Sequence, residues 1–360
     1  MKKILTILGA RPQFIKAAAV SRAISKSSLK EVIVHTGQHF DKNMSDIFFD
    51  QMEIPRPDYN LDNHSLSHGA MTGRMLEEIE KVMQKEQPEA VMIYGDTNST
   101  IAGALAARKL QIKVAHVEAG LRSFNMAMPE EVNRILTDRI SDFLFCPTQT
   151  AIDNLQNEGY EHIDCHIENV GDVMYDAAMF YSKKSEAKAE VYPRLNLEPG
   201  KYVLATVHRQ ENTDDKNRIK SIFEALNAIN KQKRVVLPLH PRTRKIIEQN
   251  SLQLDFEPID PVGYFDIIQL MKNAALVMTD SGGMQKEAYF FNKFCLTLRD
   301  ETEWVELVHN GVNSLVGADK NRIINKFNQK LNLKFPSSVQ LYGDGKASEK
   351  IVQILETDWP

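Results

Sequence analysis

The sequence predicts an α/β fold in which two Rossmann-like domains face a central cleft. Short apolar runs rich in β-branched residues alternate with helical segments, as in doubly wound parallel sheets. The alternation occurs in two separate series, one within residues 4–147 and one within residues 202–298. Because 360 residues exceed what one hydrophobic core usually serves, we expect each series to form a domain.

Turn residues mark the ends of the elements in the first series. Gly9 to Pro12 turns the first strand into a helix, Pro88 ends a later helix, and Pro129 is placed to begin another. Strands are predicted at residues 4–8, 32–35, 90–94, 113–117 and 143–147, and helices at 13–25, 73–84, 99–109 and from 129 onward.

The second series follows a connection at residues 171–181 that runs into a helix. The polar stretch at residues 182–200 is then interpreted as a surface excursion. A last helix at residues 347–356 is expected to pack back on the first domain. Strands of this series are predicted at residues 202–207, 235–239, 276–279 and 295–298.

The composition is that of an ordinary globular protein. Hydrophobic residues make up 42% of the chain, and the formal net charge of −4 argues against a general nucleic-acid binder. The cysteines Cys146, Cys165 and Cys295 form no CxxC pair, so neither a disulfide framework nor a zinc site is predicted. The apolar run at the amino end is too short for a signal peptide or a membrane span, so we expect a cytoplasmic protein without a membrane partner.

Two carboxylates directly follow neighbouring predicted strands. Asp96 comes after the strand at 90–94, and Glu118 comes after the strand at 113–117. The carboxyl ends of parallel strands meet at one edge of a sheet, where open α/β sheets bind ligands. Asp96 could instead be a helix N-cap. An acid directly after an apolar strand must be desolvated, so we interpret Glu118 as functional.

The segment that follows contains two more acids and two arginines. Glu130 and Glu131 fall in the first turn of the next predicted helix, where acids suit the helix dipole. We interpret Glu131 in that way, with Arg122 and Arg134 as candidate ion-pair partners. Glu130 is kept as a candidate for chemistry.

The first strand ends in Gly9-Ala10-Arg11-Pro12-Gln13, where a dinucleotide-binding fold carries its glycine fingerprint. The sequence lacks G-x-G-x-x-G there, which argues against ordinary NAD binding. Arg11 and Lys16 instead offer two cations near a helix amino end, an arrangement that suits a phosphate. Taken alone, Lys16 would be better explained as a solvated helix residue.

Polar residues also end the strands of the second series. His208 and His240 each have an arginine nearby, and this fits an anionic ligand. Ser281-Gly282-Gly283 follows a strand and opens a helix, so its hydroxyl and bare amides form an anion cradle. Glu287 lies one turn inside that helix, where it could accept hydrogen bonds from ribose hydroxyls. These residues together indicate a nucleotide-diphosphate site.

The chain resembles the non-hydrolysing UDP-N-acetylglucosamine 2-epimerases over essentially its whole length. The matching segments are GARPQFIK, TGQH, GDTNST, HVEAGLRS, PEEVNR, VGDVMYDA, HRQEN, LHPR and TDSGGMQKEA. The resemblance implies a fold of glycosyltransferase B type and, by analogy, a homodimer. In that architecture residues 1–168, joined by helix 347–360, form the N-terminal domain, and residues 169–346 form the UDP-binding domain.

The family's activity is interconversion at C2 of a UDP-sugar without metal or NAD, here in the supply of surface polysaccharide. UDP is eliminated across C1 and C2 to leave a 2-acetamidoglucal, and it is added back after C2 is reprotonated from the other face. The family's catalytic acids match Asp96, Glu118 and Glu130, and its catalytic histidine matches His208. Its nucleotide-binding positions match Arg11, His240, Ser281, Gly282, Gly283 and Glu287, and Lys16 and Arg134 also fall on family motifs.

One position departs from the common family pattern. Common members carry T-E-R-P-E after an Arg-Asp pair, whereas here Trp304 stands where the arginine would be. Together with GARPQFIKAA and TGQHFDKNMS, this resembles the branch that acts on modified sugars such as UDP-2,3-diacetamido-2,3-dideoxyglucuronate. Trp304 could equally be a packing residue.

Three other functions remain open from the sequence. A glycosyltransferase of the same fold would use the same cradle but would need an acceptor, and it would have no use for Glu118 together with Asp96. A UDP-sugar-binding regulator would lose only affinity on Glu118→Gln or His208→Ala. A hydrolysing 2-epimerase would release free sugar and UDP.

Overall fold

The computed structural model contains two parallel β-sheets whose strands alternate with helices along the chain, so the predicted α/β class is confirmed. It describes residues 2–38, 49, 53, 55–239, 241–250, 252–336 and 340–357, and it leaves out the side chains of Arg11, Lys188, Pro241 and Arg242. The chain forms two compact units, Met1–Ala177 with Leu341–Pro360 and Ala178–Gln340.

The first unit is built on a seven-stranded sheet in which every described pairing is parallel. Its strands are β1 (Lys3–Leu8), β2 (Lys30–His35), β3 (Tyr59–Asn60), β4 (Ala90–Tyr94), β5 (Lys113–Val117), β6 (Phe143–Cys146) and β7 (His166–Asn169). Their order is β3-β2-β1-β4-β5-β6-β7, so the direction of growth reverses between β1 and β4. Open α/β sheets bind ligands beside such a reversal.

The helices of the first unit follow its strands in regular alternation. They are α1 (Arg11–Ile24), α2 (His68–Glu86), α3 (Asn98–Lys109), α4 (Pro129–Ile140), α5 (Gln149–Asn157), the start of α6 (Val173–Lys188) and α15 (Ala347–Thr357), and a short 3-10 helix spans Tyr160–His162. Close helix-to-sheet contact depends on small residues in α3. A Cβ atom at Gly103 would lie 2.6 Å from Cδ1 of Ile7 in β1, so a larger residue would have to displace the end of that side chain.

The second unit is built on a five-stranded parallel sheet. Its strands are β8 (Tyr202–Thr206), β9 (Arg234–Val236), β10 (Leu276–Thr279), β11 (Cys295–Thr297) and β12 (Asn313–Leu315), in the order β12-β11-β10-β8-β9. Its helices are the rest of α6, α7 (Val191–Leu195), α8 (Gln210–Thr213), α9 (Lys216–Asn230), α10 (Pro241–Gln249), α11 (Tyr264–Asn273), α12 (Gly282–Phe290), α13 (Val305–His309) and α14 (Lys320–Leu331). Phe223 and Phe327, both fully buried, join α9 and α14 in its core.

The interpretation of residues 182–200 as a surface excursion is wrong. Helix α6 continues to Lys188, and α7 follows it almost at once. Tyr181 and Ser185 are fully buried, and Oγ of Ser185 accepts a hydrogen bond of 2.7 Å from the amide of Gln269. Because this stretch is polar in composition, its sequence did not indicate that one face of a helix is buried there. Strands β3, β7 and β12 were not predicted, because their sequences, YN, HIEN and NSL, are mostly polar and form no apolar run.

The carboxyl-terminal helix α15 belongs to the first unit, where it packs on α1. The backbone amide and hydroxyl of Ser28 both donate to the Glu356 carboxylate at 2.7 Å. At the other end of the helix, the amides of Ala347 and Ser348 donate to the carboxylate of Asp176. A carboxylate at a helix amino end satisfies amides that have no partner within the helix.

Two glycines with the same backbone torsion provide a test of the packing behind β5. Gly120 and Gly159 both have φ of +77°, but a Cβ at Gly120 would lie 2.5 Å from the carbonyl oxygen of Ala151, and one at Gly159 would meet nothing within 4 Å. We expect Gly159→Ala to lower the free energy of unfolding by about 1 kcal/mol, through backbone strain alone. Gly120→Ala is expected to lower it by about 3 kcal/mol or more, because it adds a clash with rigid backbone. Urea denaturation measures both, and equal losses would contradict the clash.

Candidate functional site

The first group of candidate residues lies at the carboxyl ends of β4 and β5. Glu118 follows β5 directly and adopts the left-handed conformation with φ of +72°, which costs a non-glycine residue about 1 kcal/mol. Lys16, in the second turn of α1, forms an ion pair with its carboxylate, and both side chains are 10% exposed. A Cβ at Gly95 would lie 3.2 Å from the Lys16 ammonium and 3.3 Å from the Glu118 carboxylate, so the pair rests over that glycine.

Asp96 lies beside this pair and has a cation of its own. Its carboxylate forms an ion pair with Arg134 of α4, and its side chain is 31% exposed. Burial raises the pKa of the Asp96 carboxyl, and the negative charge of Glu118 adds to the rise, although the cations Arg134 and Lys16 oppose it. Asp96 is therefore an acid that keeps its proton more readily than an ordinary aspartate. It is not a helix N-cap, because Thr97 fills that position and accepts from the amide of Thr100.

The two glutamates of the first turn of α4 have different environments. Glu131 is fully buried, accepts hydrogen bonds from the amides of Ser123 and Phe124, and contacts Arg134 at 3.2 Å. Glu130 is exposed. Glu131 therefore holds the loop after β5 in place, while Glu130 is available to a ligand. Arg134 joins Glu131 to Asp96 and so links the helix to the site.

Gln13 connects the loop after β1 to the loop after β4. Its carboxamide oxygen accepts from the amides of Gly9 and Ala10 at 2.8 and 2.9 Å. Its amide nitrogen donates to the carbonyl of Tyr94 at 2.8 Å and to the hydroxyl of Thr100 at 3.0 Å. This fully buried side chain thus fixes the two loops that carry Lys16 and Asp96, and the sequence analysis did not identify its role.

A buried chain of charges supports the same loops from behind. His116 is fully buried, and its ring nitrogens lie 2.7 Å from the carbonyl oxygen of Gly95 and 2.7 Å from a carboxylate oxygen of Asp138. Burial raises the pKa of Asp138, but hydrogen bonds and charges from His116 and Arg122 outweigh it, so the net shift is downward. Arg122 also forms two hydrogen bonds, of 2.6 and 2.8 Å, with Glu158. Arg122 therefore pairs with Asp138 and Glu158 rather than with the acids of the first turn of α4.

The second group of candidate residues lies in the second unit, at the ends of β8 and β10. His208 follows β8, and its side chain is 47% exposed. Asp280 follows β10, is fully buried, and accepts from the backbone amides of His208 and Arg209 at 3.0 Å. Nδ1 of His208 lies 3.3 Å from the same carboxylate. The sequence analysis quoted Asp280 within a motif but gave it no role.

The Ser281-Gly282-Gly283 turn begins α12, with Ser281 as its N-cap residue. The side chain of Ser281 forms no capping hydrogen bond, and a Cβ at Gly283 would meet nothing within 4 Å. The turn is therefore open to an anion at Gly283, while the Glu303 carboxylate lies over Gly282. Glu287, one turn further on, is buried and accepts a hydrogen bond of 3.3 Å from the hydroxyl of Tyr264.

Trp304 packs against this turn. Its indole N–H donates to the carbonyl oxygen of Gly282 at 3.0 Å, and the ammonium of Lys286 lies 4.0 Å from the centre of its ring. The side chain is 6% exposed. Of the two interpretations that the sequence left open for Trp304, the structure supports packing, with the specific effect of fixing the first turn of α12.

Glu303, the neighbour of Trp304, lies over the same turn. A Cβ at Gly282 would be 2.4 Å from its carboxylate, which also pairs with Arg299 at 2.8 Å. Burial raises the pKa of Glu303, but Arg299 and Arg209 outweigh that effect, so the net shift is downward. A side chain at position 282 would therefore have to displace the Glu303 carboxylate.

The structure thus brings the sequence candidates together within each unit. Lys16, Asp96, Glu118 and Arg134 form one connected group in the first unit, and His208 lies beside the strand that leads into Ser281 in the second. His240 and the side chain of Arg11 lie outside the described residues, so their roles remain predictions. In the described part of the chain, no group of three or more His, Cys, Asp or Glu residues could hold a metal ion. No described helix combines the length and apolar character that a membrane span requires.

The chain has two α/β units, paired acids at neighbouring strand ends and an open Ser-Gly-Gly turn at a helix amino end. These features define a class, the nucleotide-sugar enzymes of glycosyltransferase B type fold. Within it, residues 22–356 match the sequence profile of the UDP-N-acetylglucosamine 2-epimerases. The chain belongs to this family, and the resemblance inferred from its motifs is confirmed.

Individual relatives match over nearly the whole chain. A UDP-2,3-diacetamido-2,3-dideoxy-D-glucuronate 2-epimerase of Pseudomonas aeruginosa is 58% identical over 355 residues, covering 98% of this chain and 99% of the relative. A UDP-N-acetylglucosamine 2-epimerase of Methanocaldococcus jannaschii is 44% identical over 367 residues, covering 98% of each. A crystal structure of the M. jannaschii enzyme in complex with UDP-GlcNAc and UDP is similar with a TM-score of 0.85, at 44% identity and 99% coverage of both chains.

The pKa shifts of two neighbouring aspartates predict opposite effects of pH on stability. The folded-state pKa of Asp96 is raised, so the wild type loses stability as pH rises from the ordinary aspartate pKa through that folded value. We expect Asp96→Asn to gain stability relative to the wild type across that interval. The folded-state pKa of Asp138 is lowered, so its contribution is present above the ordinary pKa and is lost as pH falls through the folded value. Asp138→Asn should therefore cost most at neutral pH. Thermal melting between acid and neutral pH tests both signs, and parallel curves for the two variants would contradict them.

The Lys16–Glu118 pair should be strongly coupled because both side chains are 10% exposed. Lys16→Met or Glu118→Leu alone leaves a poorly solvated charge, and the double variant removes it. We expect a coupling energy of about 2 kcal/mol in a double-mutant cycle followed by urea denaturation. The matched control is the pair Lys81–Glu77, which is more than 60% exposed on both sides and should couple much more weakly because water screens it. Additive effects at Lys16 and Glu118 would argue against a desolvated pair.

Proposed function

We propose that this protein inverts C2 of a UDP-linked 2-acetamido sugar by elimination and re-addition of UDP. The observation that carries the proposal is the pair of acids at adjoining strand ends, Asp96 and Glu118, each with its own cation, in a chain of the UDP-N-acetylglucosamine 2-epimerase family. Burial raises the pKa of Asp96, and an acid that keeps its proton beside a second carboxylate suits the movement of a proton to and from a carbon.

The reaction balances without a redox partner. A carboxylate takes the proton from C2, the electrons of that C–H bond form the C1=C2 double bond, and the C1–O bond breaks with its electrons leaving on UDP. A proton is then delivered to C2 from the opposite face, and the diphosphate oxygen adds back to C1. Asp96, with its raised pKa, suits a group that carries a proton, and Glu118 and the exposed Glu130 are the other acids proposed to act.

Binding of the diphosphate is assigned to the second unit. The Ser281-Gly282-Gly283 turn, which is open at Gly283, and the helix dipole of α12 would hold the leaving UDP. His208 would exchange a proton with it. Glu287 would accept from the ribose hydroxyls. Arg11, Lys16, Arg134 and His240 are proposed as further substrate-binding residues, by their positions in the family motifs.

The proposed substrate is a UDP-2,3-diacetamido-2,3-dideoxyglucuronate. The support is the 58% identity to the P. aeruginosa relative of that name, against 44% to the M. jannaschii UDP-N-acetylglucosamine 2-epimerase. Plain UDP-N-acetylglucosamine is the alternative. We further propose a cytoplasmic homodimer that serves surface-polysaccharide synthesis, with domains at residues 1–168 plus 347–360 and at 169–346. Sedimentation and limited proteolysis test the assembly and the domain boundaries.

Incubation of a panel of UDP-sugars with the enzyme in heavy water tests the reaction. Deuterium at C2 of recovered UDP-sugar, in both epimers, is the expected result, and the preferred substrate is the one that exchanges fastest. Stoichiometric free sugar plus UDP would identify a hydrolysing epimerase instead. If no UDP-sugar exchanges at C2, the proposal fails.

Variants of the proposed acids should separate chemistry from binding. Glu118→Gln and His208→Ala are each expected to lower the exchange rate by about 10²-fold or more, because each removes a group that moves or holds a proton. Glu224→Gln is the matched control, since Glu224 is also ion-paired, with Lys320 at 2.9 Å, but on a distant helix face of the second unit. Variants that weaken UDP binding and leave turnover at saturation unchanged would favour a binding role.

A further inference from the structure

Asp280 is a buried carboxylate whose described partners are mostly in the loop that carries His208. It is fully buried at the end of β10. Its oxygens accept from the backbone amides of His208 and Arg209 at 3.0 Å and from the side-chain amide of Asn212 at 3.1 Å. Asn212 is itself fixed, because the same amide donates to the carbonyl of Leu298 at 2.9 Å. The carboxylate is thereby held in one orientation by neutral donors.

The imidazole ring of His208 is the ionisable group in contact with this carboxylate. Nδ1 lies 3.3 Å from Oδ1 of Asp280. A carboxylate accepts and does not donate, so a hydrogen bond between these two atoms requires the hydrogen on Nδ1. The neutral ring is then the Nδ1–H tautomer, and the lone pair is on Nε2. Because 47% of the side chain is exposed while Asp280 is fully buried, Nε2 is the nitrogen left for a ligand.

We infer that Asp280 is a positioning residue that sets the tautomer and orientation of His208 for proton exchange with the sugar nucleotide. This inference rests on the proposed function. With Nδ1 directed at Asp280, a proton taken up at Nε2 can be donated to the diphosphate oxygen as the C1–O bond breaks. The Asp280 carboxylate does not have to move in this step, because the amides that donate to it already hold it in this orientation.

The position of Asp280 in the chain links this orientation to the anion cradle. Ser281, the N-cap residue of α12, follows it directly. One strand end therefore supplies both the carboxylate behind His208 and the first residue of the diphosphate turn. The histidine and the phosphate-binding amides are held in register by a single peptide segment.

The tautomer can be measured in the wild-type protein. With ¹⁵N-labelled histidine at about pH 8.5, where ordinary histidines are neutral, we expect His208 to show a protonated Nδ1 and an unprotonated Nε2, with the signal assigned by its loss in His208→Ala. The reverse tautomer in the wild type would overturn the inference without any variant of Asp280.

Asp280→Asn tests the consequence for turnover. Asparagine keeps the volume but can present an N–H to Nδ1, which reverses the tautomer. We expect kcat to fall by roughly 10²-fold, with KM for the UDP-sugar changed less than about 3-fold, and the pH profile of kcat to change shape. Asp319→Asn is the matched control, because Asp319 caps α14 of the same unit through the amide of Arg322 and should leave kcat unchanged.

Three outcomes separate the inference from the proposed function. If His208→Ala retains full epimerisation, the proposed role of His208 fails. If His208→Ala is inactive but Asp280→Asn retains the wild-type kcat, pH profile and tautomer, only the inference about Asp280 fails. If Asp280→Asn loses activity together with UDP binding and cooperative melting, the loss is structural. The tautomer of His208 in the wild-type protein then decides whether the inference about Asp280 holds.

Discussion

The structure depends on one constraint, that a carboxylate buried at a strand end needs a partner to offset its lost hydration. Each strand-end acid of the candidate site meets that need differently. Glu118 has an ammonium, Asp96 has a guanidinium, and Asp280 has backbone and side-chain amides. The loops after β1, β4, β5 and β10 have the shapes that these partners impose, including the left-handed backbone at Glu118.

The kind of partner decides what each acid can do. Burial acts on both Asp96 and Asp138, but the pKa of Asp96 is raised and that of Asp138 is lowered. Both carboxylate oxygens of Asp138 have partners. Oδ2 accepts hydrogen bonds from Arg122 and Gly120, and Oδ1 is in contact with the ring of His116. Asp96 has one close cation and a nearby like charge. The fully bonded acid therefore stays charged and supports the loops, while the less satisfied acid is available for proton transfer.

The sequence alone predicted the α/β class and the strand ends that carry Asp96, Glu118 and Ser281, because apolar runs and the residues that end them are local signals. It did not predict the roles of Gln13, Asp138 and Asp280, because each has partners on other elements that lie 16 to 87 residues away along the chain. One signal was available. Glu131, Arg134, Thr137 and Asp138 have the spacing of one helix face, and all four are buried, but a polar face normally indicates solvent. Only the loops folded against α4 reveal that this face points inward.

Trp304 shows how a family-variable position can act without touching a substrate. Its only polar group, the indole N–H, is used by the carbonyl of Gly282, one face of its ring is covered by Lys286, and the side chain is 6% exposed. It therefore has no polar atom left to recognise a sugar substituent. Its effect must pass through the turn that it fixes, where Glu303 lies against Gly282. If the diphosphate binds at this turn as proposed, the groups that recognise the sugar substituents are other residues, and Trp304 acts only by fixing the turn.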